Sequence, residues 1–299
     1  MPTARVNGTT LAYEVSGDGE PVVLVHGSAS DHRTWSAQKD AFAEQFRVIS
    51  YSRRYHWPNE PIPEDAVYIM DEHVDDLRAL IRSLDLAPAH LVGNSYGAFL
   101  CLLLAIRDPS LVRSLVLAEP PVLTLFVSND PTALELLKVL LTRPRTAVGI
   151  LRLGIQGIDP AKRAFEQGDQ KAGLRTFVDA VLGPRAYDRL PDFRREQVED
   201  NVESLQAELL GPGFSPLDAE KVQQIQAPTL LVTGEDSIGL FHRLTDRLEE
   251  LLPRCERTEI LEAPHTMHEA NAPAFNAAVR SFLETHHQTG GQLPAAHAV

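Results

Sequence analysis

The chain has 299 residues, enough for one large α/β domain with an insertion or for two small domains. Its formal net charge of −13 argues against nucleic acids and anionic membrane surfaces as partners, because phosphate groups require a basic surface. With only two cysteines, Cys101 and Cys255, the sequence excludes a disulfide framework.

The N-terminus lacks the basic and apolar regions of a signal peptide, and no apolar run approaches the length of a membrane span. We therefore expect a cytoplasmic protein that does not contact membranes. Neither a metal-ligand spacing nor a dinucleotide fingerprint is present, so we expect no cofactor. The expected partner is a small-molecule substrate. Whether the protein forms a homodimer is left open by the sequence.

The N-terminal part of the chain predicts three strands. Residues 3–16 alternate in polarity around Asn7-Gly8, which is typical of a hairpin between two antiparallel strands. Residues 22–25 form a continuous apolar run, as expected of a strand that is buried on both faces. This run leads directly into His26-Gly27-Ser28.

The next segment predicts a helix over 35–45, a strand over 46–51 and an amphipathic helix over 70–84. The loop after the strand carries His56 and Trp57. Two interpretations of this pair stay open: they line a substrate pocket, or they pack the loop.

The most informative stretch reads Gly93-Asn94-Ser95-Tyr96-Gly97, a G-x-S-x-G pattern. An apolar, strand-like run precedes it and a long apolar, helix-like run follows it. This context predicts a nucleophile elbow, in which a strained turn holds the serine oxygen clear of the sheet at the positive end of the helix. Small residues two positions away on either side leave room for such a turn.

The rest of the chain divides into a helical middle and a C-terminal return of strands. Strands are expected at 112–117, 229–233 and 257–261, and helices at 134–141, 161–167, 174–182, 193–210, 240–252 and 273–285. The pattern predicts an α/β fold, a mostly parallel sheet with helices on both faces. We assign residues 1–120 and 216–285 to its core, 121–215 to an inserted helical lid and 286–299 to a flexible tail.

The order of these motifs resembles the α/β-hydrolase superfamily, in particular its serine esterase-like, lid-bearing members, over about residues 5–285. The resemblance implies that Ser95 is the nucleophile and that His265, which follows the last strand, is its base. It also implies an oxyanion hole formed by the backbone amides of Ser28 and Tyr96. His268 is the alternative base.

The loop after the strand over 46–51 departs from the family pattern, and the H-G-x histidine is expected to have a structural role. Relatives continue after the strand over 46–51 with an aspartate and a G-x-G turn, whereas Tyr55 and Trp57 replace those glycines here. The first histidine of the H-G-x motif, His26, is expected to brace its loop by hydrogen bonding rather than to contact substrate.

The acid of the catalytic set is not settled by the pattern. Relatives commonly carry it three residues after the glycine that ends the penultimate strand, which is the position of Ser237 here. Asp236 is one residue short of that position. Glu119 ends the strand before the lid, where some superfamily members, haloalkane dehalogenases among them, carry the acid. We favour Glu119 over Asp236, with Glu235 third.

A serine nucleophile points to acyl transfer, whereas related dehalogenases and epoxide hydrolases use an aspartate. The favoured function is therefore hydrolysis of carboxylic esters or lactones through an acyl-enzyme on Ser95. Carbon–carbon bond hydrolysis, perhydrolysis and acyl transfer would use the same residues. A ligand-binding receptor with slow turnover is the alternative from another class.

Overall fold

The computed structural model describes residues 1–287. The predicted tail at 286–299 thus lies outside the described residues from position 288 onward. Within the described part, no helix is both long and apolar enough to cross a bilayer.

An eight-stranded sheet forms the centre of the molecule, in the order β1-β2-β4-β3-β5-β6-β7-β8. The strands are β1 Thr3–Val6, β2 Thr9–Ser16, β3 Glu20–Val25, β4 Phe46–Tyr51, β5 Ala89–Asn94, β6 Val112–Ala118, β7 Thr229–Gly234 and β8 Cys255–Ile260. Only the pairs β1/β2 and β2/β4 are antiparallel. All other pairs are parallel, which confirms the predicted mostly parallel sheet.

Helices cover both faces of this sheet. The α-helices of the described residues are α1 Ser36–Phe42, α2 Met70–Ser83, α3 Tyr96–Arg107, α4 Ala133–Thr142, α5 Pro144–Leu153, α6 Asp159–Glu166, α7 Gln170–Leu182, α8 Ala186–Arg189, α9 Asp192–Asp200, α10 Val202–Leu210, α11 Ala219–Gln223, α12 Gly239–Leu251, α13 Met267–Ala270 and α14 Ala272–Thr285. One apolar core joins α2, α3 and α12 to the sheet, and a second core joins α1 and α14 to the opposite face. The strands between these layers are apolar on both faces because both faces are buried.

The segment between β6 and β7, residues 119–228, contains no strand in the structure. The helix expected over 193–210 is divided into α9 and α10 at Asn201, whose side chain donates 2.7 Å to Asp31 and accepts from the backbone of Trp57. Helix α5 was not predicted; it begins at Pro144, which is compatible with the first turn of a helix.

This helical segment has a small core of its own, formed by residues such as Phe165, Val178, Tyr187 and Leu205. Ala29, from the loop after β3, packs into the same cluster. The segment therefore rests directly on the H-G-x loop. Its position brings α7 and α9 over the carboxyl ends of the parallel strands, where ligands of open α/β sheets bind.

Candidate active site

Ser95 lies in a sharp turn between β5 and α3. Its backbone has φ 53° and ψ −121°, a conformation that is rare for a residue with a side chain. The Ser95 N–H donates 2.8 Å to the carbonyl of Ala118 on the neighbouring strand, which fixes the turn against the sheet. This is the geometry of a nucleophile elbow.

The glycines around Ser95 are required by close packing. A Cβ atom built on Gly97 would lie 2.1 Å from the carbonyl oxygen of Val25 and 2.5 Å from that of His26. A Cβ on Gly93 would lie 2.6 Å from the Cα of Ala98. No side chain fits at either position without moving backbone atoms, so the G-x-S-x-G spacing follows from the turn itself.

His265 and Glu119 form a buried pair beside this turn. The Nδ1 atom of His265 lies 2.6 Å from Glu119 Oε2, and the two side chains are 3% and 0% exposed. The imidazole also stacks on Phe241, with ring centroids 4.0 Å apart. A neutral imidazole that donates from Nδ1 to a carboxylate has its lone pair on Nε2.

Besides His265, groups at the end of β7 and in the turn after it hold Glu119. It follows β6 with a positive φ of 47°. Its Oε1 accepts 2.9 Å from the backbone N–H of Gly234, and its Oε2 accepts 2.9 Å from the hydroxyl of Ser237. Ser237, at the position where relatives carry the acid, therefore donates to the carboxylate that contacts His265.

The other two acids considered from the sequence lie elsewhere. Asp236 is exposed, and its backbone N–H donates 3.0 Å to the carbonyl of Ala263. Glu235 is also exposed and accepts 2.9 Å from the backbone of Glu262. Of the three candidate acids, the structure brings only Glu119 into contact with His265.

A cavity joins Ser95 and His265. It is lined by Gly27, Ser28, Ala29, Ser30, Thr34, Asn94, Ser95, Phe177, Val178, Val181, Leu182, Leu190, Arg194, Val198, His265, Thr266 and His268. The Nε2 atom of His265 is buried without a hydrogen-bond partner in the structure. Most of the side chains that come from α7 and α9 are apolar, so the cavity wall opposite Ser95 is largely apolar.

The two residues expected to supply oxyanion amides flank the serine. Tyr96 is the first residue of α3, so its N–H is one of the donors that a helix leaves unpaired at its N-terminus. Ser28 follows Gly27, where an added Cβ would come within 3.2 Å of the Ser95 Cβ. The Ser28 hydroxyl donates to Glu208 of α10. The structure thus brings both predicted residues next to Ser95.

His56 and Trp57 do not line this cavity. His56 is fully buried, with Nδ1 2.8 Å from the carbonyl of Ser30 and Nε2 3.1 Å from the hydroxyl of Tyr68. Trp57 is 39% exposed and stacks against His32. Both residues thus make contacts within and next to their loop, outside the cavity that contains Ser95 and His265.

A buried arginine that sequence reasoning missed holds the H-G-x loop. Arg53 donates 2.9 Å to the carbonyl of Gly27 and 2.7 Å to the hydroxyl of Tyr68, and its guanidinium lies 4.4 Å from the ring centre of Tyr96. It thereby links the H-G-x loop to Tyr96 at the start of α3. His26 braces the same loop by accepting 2.9 Å from the backbone N–H of Arg53.

Three buried histidines surround Arg53. Desolvation, followed by repulsion from the Arg53 charge, holds the pKa of His26, His56 and His73 well below the ordinary value of 6.5. Two further histidines lie apart from this group. Burial also lowers the pKa of His90 and of His268 to about 4. All five side chains are therefore neutral in the folded protein at pH 7.

We expect these five histidines to make the fold sensitive to acid. Each pKa is lower in the folded than in the unfolded chain, so protonation below pH 6.5 favours the unfolded chain and the free energy of unfolding falls as the pH is lowered. We expect the free energy of unfolding to drop by about 3 kcal/mol or more between pH 7 and pH 5. Urea denaturation at pH 7 and at pH 5 measures this difference in the free energy of unfolding.

A His90→Gln variant provides the control for this acid effect, because an amide does not titrate. Between pH 4 and 6.5, the variant should take up about one proton fewer on unfolding, so its free energy of unfolding should depend less steeply on pH than that of the unsubstituted chain. An unfolding free energy that stays the same from pH 7 to pH 5 would contradict the expected neutral state of these side chains.

Comparison with known proteins agrees with this architecture. A family model described as alpha/beta hydrolase fold matches residues 20–272. The Mycobacterium tuberculosis protein named "Putative non-heme bromoperoxidase BpoC" is 40% identical over 297 positions, which cover 91% of this chain and 97% of that protein. A shorter match of 128 residues, at 31% identity, covers 47% of the Bacillus subtilis protein named "Uncharacterized hydrolase YraK".

Solved structures show the same fold. A thermophilic esterase from Thermogutta terrifontis superposes with a TM-score of 0.74 at 20% identity, covering 96% of this chain and 100% of that one. The enol-lactonase from Burkholderia xenovorans LB400 superposes with a TM-score of 0.73 at 20% identity, covering 95% and 100%. By its family match and its strand topology, the chain belongs to the α/β-hydrolase fold family.

Proposed function

We propose that this protein is a serine hydrolase that cleaves carboxylic esters or lactones through an acyl-enzyme on Ser95. The carrying observation is that the strained Ser95 shares a cavity with His265, whose Nδ1 lies 2.6 Å from the buried carboxylate of Glu119. A serine, an orienting carboxylate and a histidine, which follow one another in this order along the chain, are the set that acyl transfer uses in this fold.

The first half of the reaction forms the acyl-enzyme. His265 Nε2 accepts the proton of the Ser95 hydroxyl as the oxygen attacks the substrate carbonyl carbon. The negative charge moves to the carbonyl oxygen, where the N–H groups of Ser28 and Tyr96 stabilise it. When the tetrahedral intermediate collapses, the bond to the alkoxy group breaks and the imidazolium returns its proton to the leaving oxygen.

The second half regenerates the enzyme. His265 Nε2 takes a proton from a water molecule as that water attacks the acyl carbon, and collapse returns the proton to the Ser95 oxygen. Glu119 stays ionised throughout and stabilises the imidazolium, with Gly234 and Ser237 holding its two oxygens. The products are a carboxylic acid and an alcohol, or a hydroxy acid from a lactone.

The helical segment, with the bounds 121–215 expected from the sequence, acts in this proposal as a lid over the site. Its helices α7 and α9 supply Phe177, Val178, Val181 and Val198 to the cavity wall. An apolar wall opposite the nucleophile excludes water and favours substrates with an apolar acyl or alkyl group.

Perhydrolysis is a second candidate, because the 40% identical mycobacterial relative is named a putative non-heme bromoperoxidase and a peroxidase uses hydrogen peroxide. In that reaction hydrogen peroxide replaces water as the attacking molecule. The acyl-enzyme then yields a peracid and free Ser95, with the proton again passing through His265. The two reactions differ only in which nucleophile reaches the acyl carbon.

Rapid-mixing assays with a chromogenic short-chain ester test the proposal. We expect fast release of the chromophore followed by steady turnover, and one fluorophosphonate bound per chain. A single burst without turnover would support the receptor alternative, and a protein that neither labels nor turns over esters would contradict the proposal. Adding hydrogen peroxide and measuring peracid separates perhydrolysis from hydrolysis.

A further inference from the structure

One charged side chain reaches the cavity of the proposed active site. Among the described residues that line it, Arg194 is the only arginine or lysine, and none is an aspartate or glutamate. Arg194 belongs to α9 and is 7% exposed. A buried cation in a largely apolar pocket is costly to desolvate, so its position calls for an explanation beyond packing.

Part of the Arg194 guanidinium is committed to neighbouring groups. Nη1 donates 2.6 Å to Gln197 Oε1 and lies 3.4 Å from the Ser30 hydroxyl. Nε lies 3.2 Å from Glu269 Oε2, but it is buried and makes no hydrogen bond there. Within residues 1–287 we find no hydrogen bond from Nη2. Donor capacity therefore remains on a side chain that is held in place.

Arg194 lies near the reacting groups. It contacts Ser30, which is three residues after Gly27 on the loop that packs against Ser95. Three residues of extended chain span at most roughly 11 Å. A group bound by Arg194 can therefore belong to the same small molecule as a carbonyl positioned at Ser95.

From this arrangement we infer that the substrate carries a carboxylate at the end of an apolar chain, and that Arg194 binds it. The inference rests on the proposed acyl transfer at Ser95 and names its substrate class: hemiesters or lactones of dicarboxylic acids. Guanidinium and carboxylate match in shape and charge, and their hydrogen bonds are stronger than those between neutral groups. The apolar side chains that line the cavity suit a methylene chain.

Glu269 sets the strength of this interaction. Its Oε2 partly neutralises Arg194, while its Oε1 accepts a hydrogen bond from Thr34. A bound carboxylate thus competes with a carboxylate that belongs to the protein. Removing the charge of Glu269 should increase the preference for anionic substrates, whereas a purely structural ion pair would give no such increase.

The test compares two chromogenic substrates of equal length, p-nitrophenyl hydrogen adipate and its methyl ester, in which the carboxylate is masked. We expect kcat/KM to be roughly tenfold or more higher for the hemiester. Arg194→Gln should bring this ratio close to one, mainly through KM, and Arg194→Lys should keep part of it. Glu269→Gln should raise the ratio several-fold.

Arg195→Gln is the matched control, because Arg195 lies next to Arg194 on α9 but does not line the cavity. Its ratio should equal that of the unsubstituted protein. A ratio at or below one in that protein would overturn the inference, as would a ratio that Arg194→Gln leaves unchanged. If Arg194→Gln does not fold, a Glu269→Gln variant with an unchanged or lower ratio would overturn it.

Binding to a Ser95→Ala variant separates this inference from the proposed function. Calorimetry with the same two esters should show tighter binding of the hemiester. Tighter binding without any turnover by the unsubstituted protein would support the role of Arg194 and contradict the serine hydrolase. Turnover of both esters without a preference would support the hydrolase and contradict the role of Arg194.

Discussion

Replacing Glu119 by glutamine should lower kcat for ester hydrolysis by roughly 10³- to 10⁴-fold. The carboxylate accepts hydrogen bonds from Gly234, Ser237 and His265, and none of these three contacts needs a donor on residue 119. A carboxamide carries one oxygen and one NH₂ group, so it cannot satisfy the same set of partners.

The two orientations of the amide fail for different reasons. With its NH₂ group towards His265, the amide forces Nδ1 to accept, so the proton moves to Nε2 and the imidazole cannot act as a base towards Ser95. With its oxygen towards His265, the NH₂ group opposes the backbone N–H of Gly234. Glutamine at position 119 therefore either prevents His265 from acting as a base or disrupts the hydrogen bonds that hold residue 119.

Asp236→Asn is the matched control, since Asp236 is exposed one residue before Ser237. We expect its kcat to stay within about twofold of the unsubstituted protein. Steady-state kinetics on one chromogenic ester is sufficient for both variants. If Asp236→Asn abolished turnover and Glu119→Gln did not, Asp236 would be the acid.

Replacing Gly97 by alanine should have the largest effect on stability. The new methyl group would lie 2.1 Å from the carbonyl oxygen of Val25, an atom of the central strand β3. Neither that strand nor the start of α3 has room to move without opening the core. We expect a loss of about 3 kcal/mol or more in the free energy of unfolding, measured by urea denaturation.

Gly154→Ala is the corresponding control. Gly154 follows α5 with helical dihedral angles of −59° and −63°, and nothing lies within 4 Å of an added Cβ. Alanine should leave stability unchanged or raise it by up to about 1 kcal/mol. Equal losses for both variants would contradict the close approach of α3 and β3.

The parts of the site that sequence patterns predicted are those set by local chain geometry. The G-x-S-x-G spacing around Ser95 is visible in the sequence, and the apolar runs on either side predict the strand and the helix. The order of strands and helices likewise predicted the sheet, because runs that are apolar throughout indicate strands buried on both faces.

The parts that could not be predicted depend on contacts between distant segments. The choice between Glu119 and Asp236 depends on where β6 and β7 end relative to His265, which no local pattern records. No local pattern distinguishes Arg53 or Arg194 from the other arginines of the chain. Their burial becomes visible only when the H-G-x loop and the helical segment are packed together.

Turnover by a Ser95→Ala variant tests the proposed acyl-enzyme most directly. The assay compares steady-state release of chromophore, and labelling by a fluorophosphonate, in the variant and in the unsubstituted protein. We expect kcat to fall by at least about 10⁴-fold and labelling to disappear, with the urea midpoint unchanged. Undiminished ester turnover by the variant would contradict a covalent intermediate on Ser95.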